Sequence, residues 1–284
     1  MATYPLKTSI SDTYPNPSNA TARAGFGSLY DFVTSIPWGQ CRLVKSGANL
    51  VLQRYNGLWL TINDKMYVIP SAGVSLAATG LTAATTYFIY AWMNGATMTL
   101  EASTTGHSTN TTTGVETKTG DATRTLVGMA RPIAGPAWSD VINQRLVLSW
   151  FNRRPLQCQA GLGATAGTTS ASAVELSTSL RVEVLCWPDC VLDFSFDGYS
   201  SNSTAFAVNY TYLTVDGTLQ EAYNAFGNAA ASQIGPVSVR ISPQALSEGY
   251  HFVSPYVSVS GGTGGWIGSA TQGQRSAVKG TIQG

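Results

Sequence analysis

The sequence has little charge. Asp, Glu, Lys and Arg together make up 11% of its 284 residues, against roughly 25% in an ordinary soluble domain. The formal net charge is +1 and 44% of the residues are hydrophobic, which excludes the highly charged, weakly hydrophobic composition of disordered chains. No basic run is longer than Arg153-Arg154. The sequence therefore lacks the patch that neutralises phosphates, and nucleic-acid binding is not expected.

Long apolar runs and leader segments are also missing from the sequence. No stretch approaches the roughly 20 apolar residues of a membrane helix, so membrane insertion is not expected. The first residues, Met1-Ala2-Thr3-Tyr4-Pro5, carry neither a basic nor an apolar leader, which predicts synthesis in a cytoplasm without a signal peptide. Heptads of a coiled coil are not evident either.

Cysteine and histidine are scarce, which limits metal and disulfide chemistry. The two histidines, His107 and His251, are distant in sequence from the closest cysteine pair, so a four-ligand zinc site is not predicted. Too few and too scattered for a disulfide scaffold, the cysteines are expected to be buried thiols. A disulfide across the short Cys186–Cys190 loop stays open, although it would be strained. The four cysteines are Cys41, Cys158, Cys186 and Cys190.

Motifs of common catalytic sites are absent. The sequence contains no Gly-x-Ser-x-Gly elbow, no phosphate-binding Gly-x-x-x-x-Gly-Lys loop and no His-Glu-x-x-His zinc motif. His107 lies in a polar loop and is expected to be exposed. His251, inside Tyr250-His251-Phe252, is expected to be a half-buried strand residue. We predict no catalytic residues, no metal and no cofactor.

One set of carboxylates resembles a sugar-hydrolysis pattern. Asp189, Asp193 and Asp197 are spaced by four along one predicted hairpin, and glycoside hydrolysis requires two carboxyl groups at a defined separation. Turn formation accounts for Asp189 in Pro-Asp and for Asp197 in Asp-Gly without catalysis. A polysaccharide depolymerase is therefore the least favoured function.

The residues that are abundant favour β-structure. The chain has 29 glycines and is rich in Thr, Ser and aromatic residues, as expected of strands joined by short turns. From Leu43 to Trp150 the hydrophobic period is two, and residues 58–69 form a predicted hairpin around Asn63-Asp64-Lys65. Several such strands separated by turns indicate a sandwich or a barrel.

A second β unit is predicted after Arg153-Arg154-Pro155. Residues 180–185 and 191–196 alternate around a predicted hairpin turn at Pro188-Asp189, with a further turn at Asp197-Gly198. Val215-Asp216-Gly217-Thr218 is a strong signal for a type I′ hairpin. Residues 219–226 are interpreted as a short helix.

The N-terminal region differs from both β units. Tyr14-Pro15-Asn16-Pro17 is extended and turn-rich, and residues 21–33 have the three-and-four spacing of a short amphipathic helix. The predicted fold class is thus mainly β: two antiparallel β-sandwich or jelly-roll-like units after a short N-terminal arm and helix. The predicted domains are an arm at 1–45, a β domain at 46–155 and a C-terminal β-sandwich at 156–284.

The segment from Tyr55 to Arg154 resembles a known module. The stretches YFIYAWMNGATMTLEASTTGH (87–107), GVETKTGDATRTLVGMARP (114–132) and SWFNRR (149–154) are similar to a β-rich module of virion proteins of tailed bacteriophages. There the module occurs in fibres, spikes and decoration proteins of heads or tails. The resemblance covers roughly a third of the chain.

The resemblance implies an external appendage of a phage virion, either a head fibre or decoration protein or a tail fibre. Such a protein is made in the host bacterial cytoplasm and ends in the virion. Its expected partners are other virion proteins of the capsid, collar or tail, together with its own copies in a homotrimer. Low charge independently favours a permanent assembly, because little repulsion keeps free copies apart. By analogy, residues 1–45 would anchor the chain to the particle. The anchor candidates are Tyr14, Phe26, Leu29, Tyr30 and Phe32.

The alternative function is attachment to a host receptor or a host-surface glycan. Sugar sites combine an aromatic platform with polar groups on a rigid β scaffold, and the second unit contains suitable aromatic residues. Filling a small core or a subunit contact is the competing role for the same side chains. The candidates for surface or glycan binding are Tyr199, Tyr210, Tyr212 and Trp266, with Tyr223 as a further aromatic.

Overall fold

The computed structural model describes residues 39–242, 246–271 and 275–283, and nearly all regular structure in these ranges is β-strand. The prediction of a mainly β protein with antiparallel sheets is confirmed. One 3₁₀ turn, Thr178–Leu180, is the only helix in the described ranges, so none of them contains a helix able to span a membrane. The predicted N-terminal helix lies outside the described residues, as do all five anchor candidates, Tyr14, Phe26, Leu29, Tyr30 and Phe32.

The first unit consists of short strands around one core. Three strands form the sheet β1-β2-β5, and a larger sheet has the order β7-β6-β10-β9-β8, with β15 also paired to β10. Leu50 and Leu52 of β2 are buried and alternate with more exposed neighbours, the period-two pattern that buries one face of a sheet. The strands are β1 (Cys41–Ser46), β2 (Asn49–Arg54), β3 (Trp59–Ile62), β4 (Lys65–Val68), β5 (Val74–Ala77), β6 (Tyr87–Asn94), β7 (Thr97–Ser103), β8 (His107–Thr109), β9 (Glu116–Lys118), β10 (Asp121–Ala130), β11 (Pro132–Ile133), β12 (Ala137–Trp138), β13 (Asp140–Val141), β14 (Gln144–Arg145) and β15 (Val147–Ser149).

The second unit is a sandwich of two sheets. One has the order β13-β14-β19-β24-β21-β22, with β18 also paired to β24; the other has the order β16-β26-β20-β25-β17, with β23 also paired to β20. Side chains from both sheets form one core that includes Phe194, Phe196 and Trp266. Its strands are β16 (Pro155–Gly161), β17 (Ala166–Thr168), β18 (Val174–Glu175), β19 (Val182–Cys186), β20 (Asp193–Asn202), β21 (Val208–Val215), β22 (Thr218–Gly227), β23 (Gly235–Ile241), β24 (Gly249–Val259), β25 (Gly264–Trp266) and β26 (Ala277–Gln283).

Two predicted hairpins are confirmed, and both depend on left-handed residues. Strands β3 and β4 pair across Asn63 and Asp64, whose φ angles are 48° and 60°. Strands β21 and β22 pair across Asp216 and Gly217, at 52° and 77°. Positive φ at both central positions is what a type I′ turn requires, and Asn, Asp and Gly tolerate it best.

Three local predictions in the second unit are wrong. Residues 180–196 do not form a hairpin: β19 pairs with β14 and β24, whereas β20 belongs to the opposite sheet. Asp197-Gly198 is not a turn but lies within β20. Residues 219–226 form strand β22 rather than a helix. Apolar residues spaced three and four apart in this segment resemble the apolar face of a helix. The segment is nevertheless a strand because it pairs with β21.

Strands from both sides of the predicted boundary between the units pair with each other. Strand β14 precedes the predicted boundary at 155, yet it extends the second unit's sheet by pairing in parallel with β19. The Glu183 backbone N–H also donates to the Asn143 carbonyl oxygen at 2.9 Å. At the other end of the first unit, strand β1 starts at Cys41, inside the segment assigned to the arm.

A separate apolar cluster joins the two units. Trp187, from the loop after β19, is fully buried there and its indole N–H donates to the Ser149 carbonyl oxygen at 3.2 Å. The Trp187 and Trp150 rings meet edge to face with centroids 4.9 Å apart. The two units are therefore fixed to each other by packing as well as by the chain. The buried members of this cluster are Tyr90, Leu126, Met129, Leu146, Leu148, Leu185 and Trp187.

His107 belongs to this junction, so its predicted exposure is wrong. Its side chain is only 15% exposed. Nδ1 lies 2.5 Å from Glu116 Oε2 and Nε2 lies 3.1 Å from Glu248 Oε2. The hydrogen bonds to Glu248 and then Glu116 raise the pKa of His107 against the opposing effect of burial. The ring thus links the β8–β9 hairpin to the segment that precedes β24. His251, by contrast, lies in a strand as predicted, although it is buried and not half-buried.

The cysteines are buried free thiols, as predicted. Burial raises the pKa of Cys41 and of Cys158 to about 12. Cys186 and Cys190 are not joined by a disulfide. The hydrogen bond between their thiols raises the pKa of Cys186 and lowers that of Cys190 to about 7.

Candidate functional site: the tyrosine ladder

The two outer faces of the second unit differ in chemistry. The outer face of the sheet that contains β20 is polar, and it holds a shallow depression of about 440 Å³. Such a face needs no covering partner, because strands with one solvated face normally carry polar side chains there. The depression is lined by Gln157, Asp193, Ser195, Asp197, Ser238, Arg240, Lys279, Gly280 and Thr281.

The outer face of the opposite sheet carries tyrosines instead. Tyr256 of β24 pairs with Tyr212 of β21, which pairs with Tyr223 of β22. Directly paired residues of adjacent strands lie on the same face, with their Cβ atoms about 4.5–5.5 Å apart. The Tyr212 and Tyr223 ring centroids are 5.9 Å apart, with planes tilted by 37°. We call Tyr256, Tyr212 and Tyr223 the tyrosine ladder.

Accessibility increases along the ladder toward the sheet edge. Tyr256 and Tyr212 are half-buried, whereas Tyr223 on the edge strand is 61% exposed. At the inner end, Glu175 pairs with Tyr256 in the strand register. Its carboxylate accepts two hydrogen bonds from Arg181, at 2.6 and 2.7 Å. The ladder is closed by an ion pair on one side and open to solvent on the other.

More aromatic residues continue the same face toward the junction. The Arg181 guanidinium lies 4.5 Å from the Phe252 ring centroid, and that of Arg131 lies 3.9 Å from the Tyr250 centroid. The Tyr250 hydroxyl donates to Glu183 Oε1 at 2.5 Å. Burial, together with this hydrogen bond, raises the pKa of Tyr250. The face therefore combines apolar ring surfaces with hydroxyls and fixed charges.

The predicted surface residues divide among three places. Tyr210 and Tyr212 alternate with the inward Asn209 and Thr211 on β21, so they share the outer face of the ladder. Tyr199 is exposed on β20 and belongs to the opposite sheet. Trp266 is fully buried and its indole N–H donates to the Thr211 hydroxyl at 2.8 Å, so it is a core residue and not the predicted surface platform.

Tyr256 was missed as a site residue. Tyr250, Phe252 and Tyr256 share even positions in the closing strand 250–259, and this parity was the signal that places them on one face. What the sequence did not contain was the pairing of β24 with β21. That pairing brings Tyr256 next to Tyr212 across 44 positions of sequence.

The aspartates of the polar face have structural partners. Asp193 is ion-paired with Arg240, and this hydrogen bond lowers the pKa of Asp193. Asp197 accepts hydrogen bonds from the Ser195 and Ser238 hydroxyls at 2.7 and 2.8 Å. These partners account for both carboxylates as structural groups of the sheet. Asp189, the third member, is ion-paired with Arg153 at 2.5 Å.

The carboxylate beside the ladder, that of Glu175, likewise has a structural partner. Hydrogen bonds from Arg181 lower the pKa of Glu175, which keeps it ionised and unsuited to donate a proton. Among the described residues, no group of three or more His, Cys, Asp or Glu side chains is placed to hold a metal ion. The arrangement is suited to contact and binding through aromatic rings.

Comparisons with known proteins add weak similarities of overall structure only. No protein-family model matches the chain, and no curated protein matches it. A structure of the infectious bursal disease virus Gx strain has a TM-score of 0.32 at 13% identity, covering 87% of this chain and 65% of that chain. A subviral particle of VP2 from infectious bursal disease virus gives 0.25 at 10%, with coverages of 86% and 78%.

A third solved structure belongs to another class of protein. The insecticidal delta-endotoxin Cry8Ea1 from Bacillus thuringiensis gives a TM-score of 0.25 at 9% identity, and the match covers 94% of this chain and 55% of that chain. The chain thus spans less than two thirds of the length of two of these three structures. TM-scores this low identify neither a fold family nor a function.

Proposed function

We propose that the protein is a structural component of a virus particle, an external appendage of a tailed phage such as a head fibre, decoration protein or tail fibre. Residues 1–45 would anchor it and the second unit would face outward. The observation that carries this proposal is the tyrosine ladder, whose rings range from half-buried at Tyr256 and Tyr212 to exposed at Tyr223. Half-exposed aromatic rings are typical of contact surfaces. The resemblance of residues 55–154 to phage virion modules supports an assembly of this kind.

The junction supports the same role. An appendage must hold its outer part at a fixed position relative to its anchor, and the cluster around Trp187 fixes the second unit to the first. The ion pairs of Glu175 and Asp193 favour a function without catalysis, because neither carboxyl group is available as an acid. The expected partners are other virion proteins and further copies of the chain, in a homotrimer.

Immunogold labelling of intact particles tests this proposal. Antibody against residues 156–284 should label the outside of the particle. Label over the capsid would identify a head fibre or decoration protein, and label confined to the tail tip or collar would identify a tail fibre. An absence of label from every particle, in a preparation where the antibody recognises the purified protein, would rule the proposal out.

Glycan binding is the second candidate function, and the exposure of Tyr223 favours it. A sugar ring stacks on an aromatic face while hydroxyls bind its rim, and the ladder offers both. Tyr223→Ala should weaken binding to purified host-surface polysaccharide about tenfold, a loss of about 1.4 kcal/mol. Binding is measured by biolayer interferometry.

A matched control is available on the opposite sheet. Tyr199 is also an exposed tyrosine of the second unit, so Tyr199→Ala removes the same side chain without touching the ladder. It should leave binding unchanged. Equal losses from both substitutions, or no binding by the unmodified protein, would exclude the ladder as a glycan site.

A further inference from the structure

One end of the second unit is built from four connected loops. They follow β17, β20, β22 and β24. Strand β24 runs from Tyr250, which packs against the junction cluster, to Val259, so these loops lie at the end of the unit opposite the junction. Backbone hydrogen bonds connect the loops and the strand ends beside them. Ser232 N–H donates to the Asn202 carbonyl oxygen, at the end of β20, at 2.7 Å, and Ser203 N–H donates to the Thr263 carbonyl oxygen at 3.0 Å. We call residues 169–173, 203–207, 228–234 and 260–263 the apical loops.

Buried asparagines hold the apical loops in place. Asn228 is almost fully buried, and its amide N–H groups face the carbonyl oxygens of Asn202, Thr204 and Ala230 at 2.7–3.2 Å. The Asn202 amide donates to Asn209 Oδ1 and to the Gly261 carbonyl oxygen, while its own Oδ1 accepts from Thr204 N–H. The amide N–H groups of Asn202 and Asn228 are thus engaged inside the loops, whereas the buried Asn228 Oδ1 has no hydrogen-bond partner among the described residues.

Phe206, in the second of these loops, has an unfavourable backbone conformation and an exposed side chain. Its side chain is 83% exposed, and its φ of 62° lies in the left-handed region. That conformation costs an ordinary residue about 1–2 kcal/mol and is uncommon for a bulky one. Its N–H donates to the Asn228 carbonyl oxygen at 2.7 Å, which fixes the backbone. Asn or Gly would suit the backbone better, so the exposed ring is not explained by folding.

The apical loops are also free of charge. None of their residues is Asp, Glu, Lys, Arg or His. At a symmetry axis each residue meets its own copy, so any charge would face an identical charge. A neutral surface with a protruding ring satisfies this condition. The amide N–H groups of Asn202 and Asn228 are engaged within the loops, which disfavours a sugar ligand, because sugar sites depend on available hydrogen-bonding groups.

We propose that the apical loops are a contact between copies of this chain, with the Phe206 rings packing together around a symmetry axis. Buried aromatic residues at the centre of an interface provide much of its binding energy. This inference rests on the proposed function, whose homotrimer it gives a contact surface, and the two are tested separately. Labelling of particles tests location, and the oligomeric state of purified protein tests the contact.

The test is sedimentation velocity of the purified full chain over a range of concentrations, with Phe206→Asn as the variant. Asn removes the ring and tolerates a left-handed φ. The unmodified protein should form a closed oligomer. Phe206→Asn should weaken its association at least tenfold, while its thermal unfolding temperature stays the same or rises. Unchanged folding separates a lost contact from a damaged fold.

Two controls make the result specific. Val191 is also strongly exposed, at 72%, but it lies between β19 and β20, toward the junction. Val191→Asn should leave the oligomer intact, and Phe206→Tyr, which keeps a ring, should preserve it. A monomeric unmodified protein would overturn the proposal, even if Phe206→Asn then lost binding to another virion protein or a glycan. An oligomer that survives Phe206→Asn, or that Val191→Asn disrupts equally, would overturn it as well.

Discussion

Replacing Trp187 with alanine should lower the free energy of unfolding by about 3–5 kcal/mol, the usual effect of removing a fully buried large aromatic side chain. The loss has two physical sources. The Trp150 and His107 rings, with centroids 4.9 and 5.9 Å from that of Trp187, would border a cavity. The carbonyl oxygen of Ser149 would lose its indole donor. Because Trp187 joins the two units, we also expect a single unfolding transition to separate into two.

Calorimetry and guanidinium denaturation measure both effects. The matched control is Trp59→Ala, because Trp59 is 36% exposed on strand β3 and lies outside the junction cluster. It should change stability by less than about 1 kcal/mol, as surface substitutions usually do. If Trp187→Ala were as mild as Trp59→Ala, with one transition retained, the junction would not be what couples the units.

Replacing His107 with glutamine should reduce stability most at low pH. The hydrogen bonds to Glu248 and Glu116 raise the folded-state pKa of His107 above its usual value of 6.5. The protonated ring therefore stabilises the fold fully below pH 6.5, and this stabilisation is lost as the pH rises through the raised pKa. Glutamine keeps hydrogen bonding but cannot carry the charge. The difference from the unmodified protein should be about 2 kcal/mol at pH 6 and should approach zero by pH 9.

Urea denaturation at several pH values gives this difference, and NMR titration gives the pKa of His107 directly. Arg153 is a further charged group of the junction: it lies over the Trp150 and Trp187 rings, which pack against His107, and it is paired with Asp189. Glu248→Gln should shift the pH dependence downward, because it removes the main cause of the raised pKa. A difference that is constant from pH 6 to pH 9 would contradict the assignment of charge to His107.

The sequence was sufficient for features decided by neighbouring residues. Asn63-Asp64 and Asp216-Gly217 specified their turns because few residues tolerate positive φ. Period two specified the strands that flank them. The turn at Pro188-Asp189 is present, since Cys190 N–H donates to the Trp187 carbonyl oxygen at 2.9 Å. The predicted hairpin is wrong because strand pairing depends on distant strands, here β24 for β19 and β26 for β20.

The candidate site shows the same limit. Tyr210 and Tyr212 have the same parity along one strand, so their common face followed from the sequence. Tyr199 and Trp266 lie elsewhere because their strands belong to the other sheet, and Trp266 faces the core. Alternation along a strand does not specify which sheet the strand joins or which of its faces is buried. His107 was likewise misjudged, because Glu248 is 141 positions away in sequence.

The position of β14 also bears on the order of events during synthesis. The ribosome delivers β13 and β14 before β19, and N-terminal domains generally fold first as a chain emerges. The second unit can then assemble against an edge that the first has already provided through the parallel pairing of β14 with β19. A fragment that starts at residue 156 would leave this side of β19 uncovered, and an open strand edge promotes aggregation. We therefore expect a fragment of residues 156–284 to aggregate more readily than the full chain.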